Sequence, residues 1–194
     1  MAARNTYHHG DLRRALLDES LKVIAERGVE GLSLRDVAAR IGVSHAAPYH
    51  HFADKPALLR AVAAEGMARM DAAMAAAAAD VGDDPRARLL AIGRAYVTFA
   101  VNEPAYYAAF ASPEVASGPP ESPPEDDSAA AEQRGGGTWG RLMGAVLDCQ
   151  TSGDLPSGDP VALAVYLWSL VHGLAELWRL GALRQLPRAA DGLG

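Results

Sequence analysis

The stretch 31-GLSLRDVAARIGVSHAAPYHHFADKPALLRAV-62 decides how the whole chain is read. Ser33-Leu34-Arg35-Asp36 opens it as a capping box: the Ser33 hydroxyl is placed to accept from the third helical amide, and Asp36 to reach back. Helical spacing turns Leu34, Val37, Ala38 and Ile41 inward. Gly42-Val43-Ser44 interrupts that helix, and Ser44 stands where it would cap a second short helix from His45 to Phe52. Two short helices joined by a glycine-bearing turn form the helix-turn-helix pattern. The histidines His45, His50 and His51 raise the thought of a metal. Residues five and six apart do not share one helix face, however, and no carboxylate or cysteine completes a ligand set, so no metal is expected.

Working outward, Leu12, Ala15, Leu16, Leu21, Val23 and Ile24 approximate one apolar face of a helix from Asp11 to Arg27, with Gly28 to end it. His8 and His9, just before it, fit an N-terminal arm brushing phosphate or an untethered tail. A long alanine-rich helix is expected from Lys55-Pro56 to about Ala79, then the VGDDP turn and an amphipathic helix from Arg86 to Asn102, closed by Glu103-Pro104. A brief aromatic helix (Tyr106, Tyr107, Phe110) follows. Residues 112–137, rich in Pro, Gly, Ser and acid, read as a mobile loop or linker. Two last helices are expected over Trp139–Cys149 and Pro160–Leu183. No strand pattern or internal repeat is visible, so the fold class is all-α.

Composition agrees with that class. The chain has 194 residues, 49% of them hydrophobic and only 6% aromatic, which suits helices and does not suit a disordered chain. The formal net charge of −6 argues superficially against nucleic acid. Its distribution softens that: residues 1–55 hold eight basic against seven acidic side chains and five of the six histidines, and the remainder ten against seventeen. Only the first segment could face an anionic partner. Cys149, the single cysteine, cannot form an intramolecular disulfide, which points to a reducing cytoplasm. The start, MAARNTYHHGDLRR, shows no apolar signal core, and no apolar run approaches a membrane span.

The capped helix with Arg35 in its first turn, the Gly-Val-Ser, the aromatic helix ending His-Phe and the Asp-Lys before a long apolar helix together resemble the DNA-binding region of the TetR family of transcriptional regulators. The resemblance covers roughly residues 10–60. The later LWSLVHG, residues 167–173, resembles the Trp-x-x-x-His-Gly signature of one C-terminal subgroup of that family. It implies a three-helix DNA-binding domain, residues 1–55, and a helical effector-binding and dimerisation domain, residues 56–194. Among the matching positions, Ser33, Arg35, Ser44, His45, Ala46 and Ala47 would lie against DNA, and Tyr49, His50 and Lys55 would bind phosphate. The chemistry suits the roles. The major groove admits one α-helix, and an eight-residue helix would be ~12 Å long. His45 can donate to or accept from a base edge, Ala46 and Ala47 can lie against a thymine methyl, and the Arg35 fork suits a guanine edge or a phosphate. Pro48 departs from the aliphatic residue usual there. As about the fourth helical residue it is expected to remove only the first intrahelical bond and to leave the helix standing.

A short helix reads few base pairs, so twofold pairing is expected, and the last two long helices are the candidate interface of a homodimer. The double-stranded partner is then a palindromic operator. A cavity for an unknown small-molecule effector is expected between helices, lined from among Tyr96, Phe99, Tyr106, Tyr107, Phe110, Trp139 and Met143, with Trp168 and His172 sharing a face and Gly173 allowing a neighbouring helix close. No cofactor is implied. Taken together, the expected function is a ligand-responsive homodimeric repressor released from its operator by a small molecule. The rivals are a helical interaction protein that has lost DNA binding, and an enzyme. The enzyme is disfavoured by a lone Cys149 with no histidine near it in sequence and by the absence of a phosphate loop or metal motif.

Overall fold

The computed structural model describes residues 9–116 and 137–185; His8 and most of the 112–137 stretch lie outside the described residues. Its helices are α1 (His9–Arg27), α2 (Leu34–Ile41), α3 (Lys55–Asp80), α4 (Pro85–Asn102), α5 (Pro104–Phe110), α6 (Pro113–Ala116), α7 (Gly137–Ser152) and α8 (Pro160–Arg179), with 3-10 turns at Ala47–His50 and Ala182–Gln185. No strand occurs among the described residues. The chain divides into two compact units, residues 1–67 with 105–122, and residues 68–104 with 123–194.

In the first unit α1 packs against α2 through a core of Leu16, Leu17, Val23 and Ile24 meeting Leu34, Val37, Ala38 and Phe52. Ile41 and Val43 are only half-buried. The Ser20 hydroxyl, fully buried on α1, donates to the Leu16 carbonyl at 2.6 Å, which removes the cost of an unpaired buried polar group. Gly42 closes α2 at φ 75°, the left-handed region that favours glycine, and its N–H donates to the Ala39 carbonyl at 3.2 Å. Gly28 ends α1 as expected, donating to Ile24 O at 2.9 Å.

Two local expectations need correction. Ser33 is the residue before α2, with extended backbone, but its side chain makes no cap bond. Asp36, expected to reach back to it, is instead drawn to Arg27 at 3.0 Å and Arg40 at 3.5 Å. A charged partner across the turn outcompetes a single backbone amide. Second, no α-helix spans His45 to Phe52. The segment is a 3-10 turn, Ala47–His50, and Ser44 does not cap it; Ala46 does the positional job without a side-chain bond. Ala47 N–H donates to Ser44 O at 3.0 Å, Tyr49 N–H to Ala46 O at 3.2 Å and His51 N–H to Pro48 O at 2.9 Å, each three residues back. Pro48 supplies no N–H. In a stretch barely two turns long, losing one bond of so short a ladder lets the tighter pattern win.

The second unit is built on α4, which packs against both α7 and α8. Asp84 caps α4, accepting from the Arg86 and Ala87 amides at 3.0 and 3.2 Å, and Asp159 caps α8 from the Val161 amide at 2.9 Å. Both helices have Pro in the first turn, as does α3, where Asp54 accepts from the Ala57 amide at 2.7 Å. Arg141 on α7 grips Asp71 on α3 with two bonds of 3.0 and 2.9 Å. Within the chain a Cβ at Gly173 would meet nothing within 4 Å, and one at Gly93 would lie 3.5 Å from Val171, an ordinary packing contact.

Helix α8 also corrects the expectation about membrane spans. It is 20 residues long and holds an 18-residue window of mean hydropathy 1.4, long and apolar enough to cross a membrane. Charge appears only at Glu176 and Arg179, near its end, and the small and aromatic residues scattered along it hide the run in the sequence. Ala164 and Ala175 are buried on one side, while Val161, Val165, Tyr166, Leu170, Leu174, Leu177 and Trp178 stand exposed.

Candidate functional site

The side chains of Ser44, His45, Ala46, Tyr49 and His50 are exposed, Ala47 is half-exposed, and Pro48 alone is buried beneath them. The buried Pro48 ring is the anchor that holds the turn on the fold, and its neighbours are thereby left outside. Tyr49 is 50% exposed despite its ring, so its hydroxyl is presented rather than packed. Four residues of 3-10 turn span ~8 Å, so the loop residues Ser44 to Ala46 carry as much of the presented surface as the turn itself.

Ser33 and Arg35, at the start of α2, are exposed as well. Arg35 has no ionic or hydrogen-bonded partner among the described residues, whereas its neighbours are engaged. Arg40 reaches Glu26 at 2.8 Å and Glu19 at 3.4 Å, and Lys22 reaches Glu19 at 2.8 Å. Arg14 lies between Asp18 and Glu65, 2.8 Å from the latter, and its pKa is raised by those two carboxylates. Lys55 opens α3 half-buried, its Nζ 3.4 Å from the Glu30 carbonyl. His51, directly behind the turn, is half-buried, and Phe52 is buried. No group of three metal-binding side chains occurs among the described residues.

The aromatic candidates divide between the two units. Tyr106, Tyr107 and Phe110 belong to the first unit, where Tyr107 and Phe110 meet edge-on at 4.9 Å and the Tyr106 hydroxyl donates to Glu65 at 2.6 Å. In the second unit Trp168 and His172 do share a face, with ring centroids 5.2 Å apart, and His172 Nδ1 shares a 2.8 Å hydrogen bond with the Tyr96 hydroxyl. Trp139 is exposed and Met143 half-buried on α7. A groove of about 660 Å³ runs between α3 and α4. Of the nine candidates it takes Phe99 alone, beside Ala73, Ala77, Arg94, Thr98 and Asn102. The alanine stripe and Arg94 carried no aromatic signal, so the sequence reading passed over them. Cys149 is fully buried, and burial followed by the charges of Asp154, Asp148 and Asp84 pushes its thiol up, away from the nucleophilic thiolate.

Comparison with known proteins agrees with this arrangement. Residues 16–62 match the family model "Bacterial regulatory proteins, tetR family", and residues 89–193 match "Tetracyclin repressor-like, C-terminal domain". A solved protein of unknown function from Rhodococcus sp. RHA1 is 34% identical, with a TM-score of 0.72 over 95% of this chain and 91% of that one. The HTH-type transcriptional regulator BetI of Burkholderia thailandensis is 40% identical over 83 residues, 42% of this chain and only 43% of BetI. The structure of AibR in complex with isovaleryl coenzyme A and operator DNA shares the fold, with a TM-score of 0.63 at 22% identity over 93% of this chain and 90% of that one.

Proposed function

Because the chain belongs to the TetR family, whose members are transcriptional regulators and not enzymes, we propose that it is a homodimeric repressor that leaves a palindromic operator when a small molecule binds. The observation that carries the DNA-binding half is the projecting edge Ser44–His50, held by buried Pro48 and flanked by Arg35, which has no ionic or hydrogen-bonded partner among the described residues. Ser33, Arg35, Ser44, His45, Ala46 and Ala47 read bases or flank them. Tyr49, His50 and Lys55 hold phosphates, with Lys55 exchanging a carbonyl for a stronger anionic acceptor. DNA binding is assigned to residues 1–55, and effector binding and dimerisation to residues 56–194. A DNA-bound regulator with one buried cysteine is at home in the cytoplasm.

The second unit supplies the sensing and the pairing. AibR, of the same fold, was solved with both an acyl coenzyme A and operator DNA. A ligand acts here by favouring one of two dimer arrangements, and α3, whose residues 55–67 and 68–80 fall in different units, carries the change to the reading turns. By linkage, operator DNA lowers ligand affinity by the factor with which ligand lowers DNA affinity. The residues weighed for the ligand are Phe99 in the α3–α4 groove, the Tyr96–His172–Trp168 cluster, Trp139 and Met143 in the second unit, and Tyr106, Tyr107 and Phe110 in the first.

The test is specific, salt-dependent binding to palindromic DNA upstream of the protein's own or a neighbouring gene. Arg35→Ala should weaken it by about 1–3 kcal/mol, and Tyr49→Phe should weaken it with helicity intact. Absence of specific binding by the unaltered protein would favour a helical interaction protein instead.

A further inference from the structure

The described cations of the first unit differ in their partners, Lys55 reaching only the Glu30 carbonyl. Arg14, Lys22, Arg27 and Arg40 are all tied to carboxylates within the fold. Arg13, Arg35 and Arg60 have no ionic or hydrogen-bonded partner among the described residues, and Arg60 is half-buried on α3. Arg13 differs from a loose surface arginine in one respect: its guanidinium carbon lies 5.4 Å from the centroid of the Phe52 ring. That contact places the cation over Phe52, the residue that follows His50 and His51 at the end of the reading turn. Arg13 is exposed, so its N–H donors, with no partner among the described residues, remain open to an anionic acceptor.

We propose that Arg13 is a further DNA-contacting residue, a guanidinium positioned by Phe52 to bind a backbone phosphate beside the base pairs read from Ser44 to His50. The inference rests on the DNA-binding reading above. It enlarges the phosphate-binding set proposed for Tyr49, His50 and Lys55 by a residue whose position only the folded chain reveals. A phosphate contact adds affinity without sequence preference, and it releases counterions.

The experiment measures operator affinity over a range of salt for the full chain and for Arg13→Met and Arg13→Lys. Methionine keeps an apolar cover of similar length on Phe52 while removing the charge; lysine keeps the charge. The expected result is that Arg13→Met makes the plot of log affinity against log salt shallower by about 0.9 per protomer, weakens matched and mismatched operators alike, and is largely restored by lysine. An unchanged slope with the methionine variant would overturn the proposal, as would a loss confined to one operator sequence. Helicity of the variants, followed by circular dichroism, separates unfolding from lost contact. If the unaltered protein binds no operator, the repressor reading fails first, which is distinguishable from a protein that binds and ignores Arg13.

Discussion

Gly66 shows how much one missing methyl can decide. A Cβ at this position of α3 would sit 2.9 Å from Cβ and 3.0 Å from Cδ1 of Tyr106. Tyr106 is buried and its hydroxyl is committed to Glu65, so its Cβ, close to the backbone of α5, has no room to swing aside. Alanine in a helix interior normally gains about 1 kcal/mol over glycine, while forcing a methyl into a packed site costs about 1–3 kcal/mol. The clash wins because its partner is rigid. Gly66→Ala should therefore lower the midpoint of chemical denaturation, and Gly144→Ala on α7, where a Cβ meets nothing, should raise it. Glycine in the alanine-rich run of α3 gives no sign of this role in the sequence, because Tyr106 is forty residues away in the chain. The caps were more legible: Gly28 and Gly42 end their helices as the local pattern implies.

At the scale of elements, α1 and α2 are bound by a web in which Arg40 joins Glu19, Glu26 and Asp36. Lys22 most of all, and Arg40 with it, hold the Glu19 carboxyl below its ordinary value of 4.5, and Arg40 does the same for Glu26. A carboxylate depressed in the folded state contributes stability that is whole above its unfolded value and fades as pH falls through the folded one. Denaturation measured near neutrality and again below pH 4.5 should show the acid loss shrinking in Arg40→Ala; an equal loss in both proteins would remove these carboxylates from the account. The web also explains why the capping box was misread. Local spacing placed Asp36 near Ser33 correctly, but it says nothing of Arg27 and Arg40 competing for the same oxygens. The reading helix failed for a different reason. Its position was legible from Gly42 to Phe52, yet the consequence of Pro48 depended on how few bonds so short a segment has to lose. The placement of the aromatic candidates was least legible, since side-chain type alone cannot say which unit Tyr106 or Tyr96 will join.

Over the whole molecule the largest unexplained feature is the outer side of α8. Val161, Val165, Leu170, Leu174 and Leu177 recur every three to five residues and are 44–54% exposed, with Tyr166 and Trp178 alongside. Such a stripe is the face of a helix that expects a neighbour, and a second copy of the chain is the neighbour the repressor reading requires. Sedimentation of the unaltered protein should give a dimer, and Leu170→Glu should give a helical monomer that binds operator far more weakly; a Leu170→Glu dimer would place the interface elsewhere.

A surface of this kind ties persistence to abundance. In the proposed dimer, a protomer that drifts alone would leave its greasiest side in water, so dilution would loosen the fold and melting temperature should climb with concentration. Under the proposed repressor reading, newly synthesised chains would be weakest when fewest, and control over target genes would set in only past a threshold of copies.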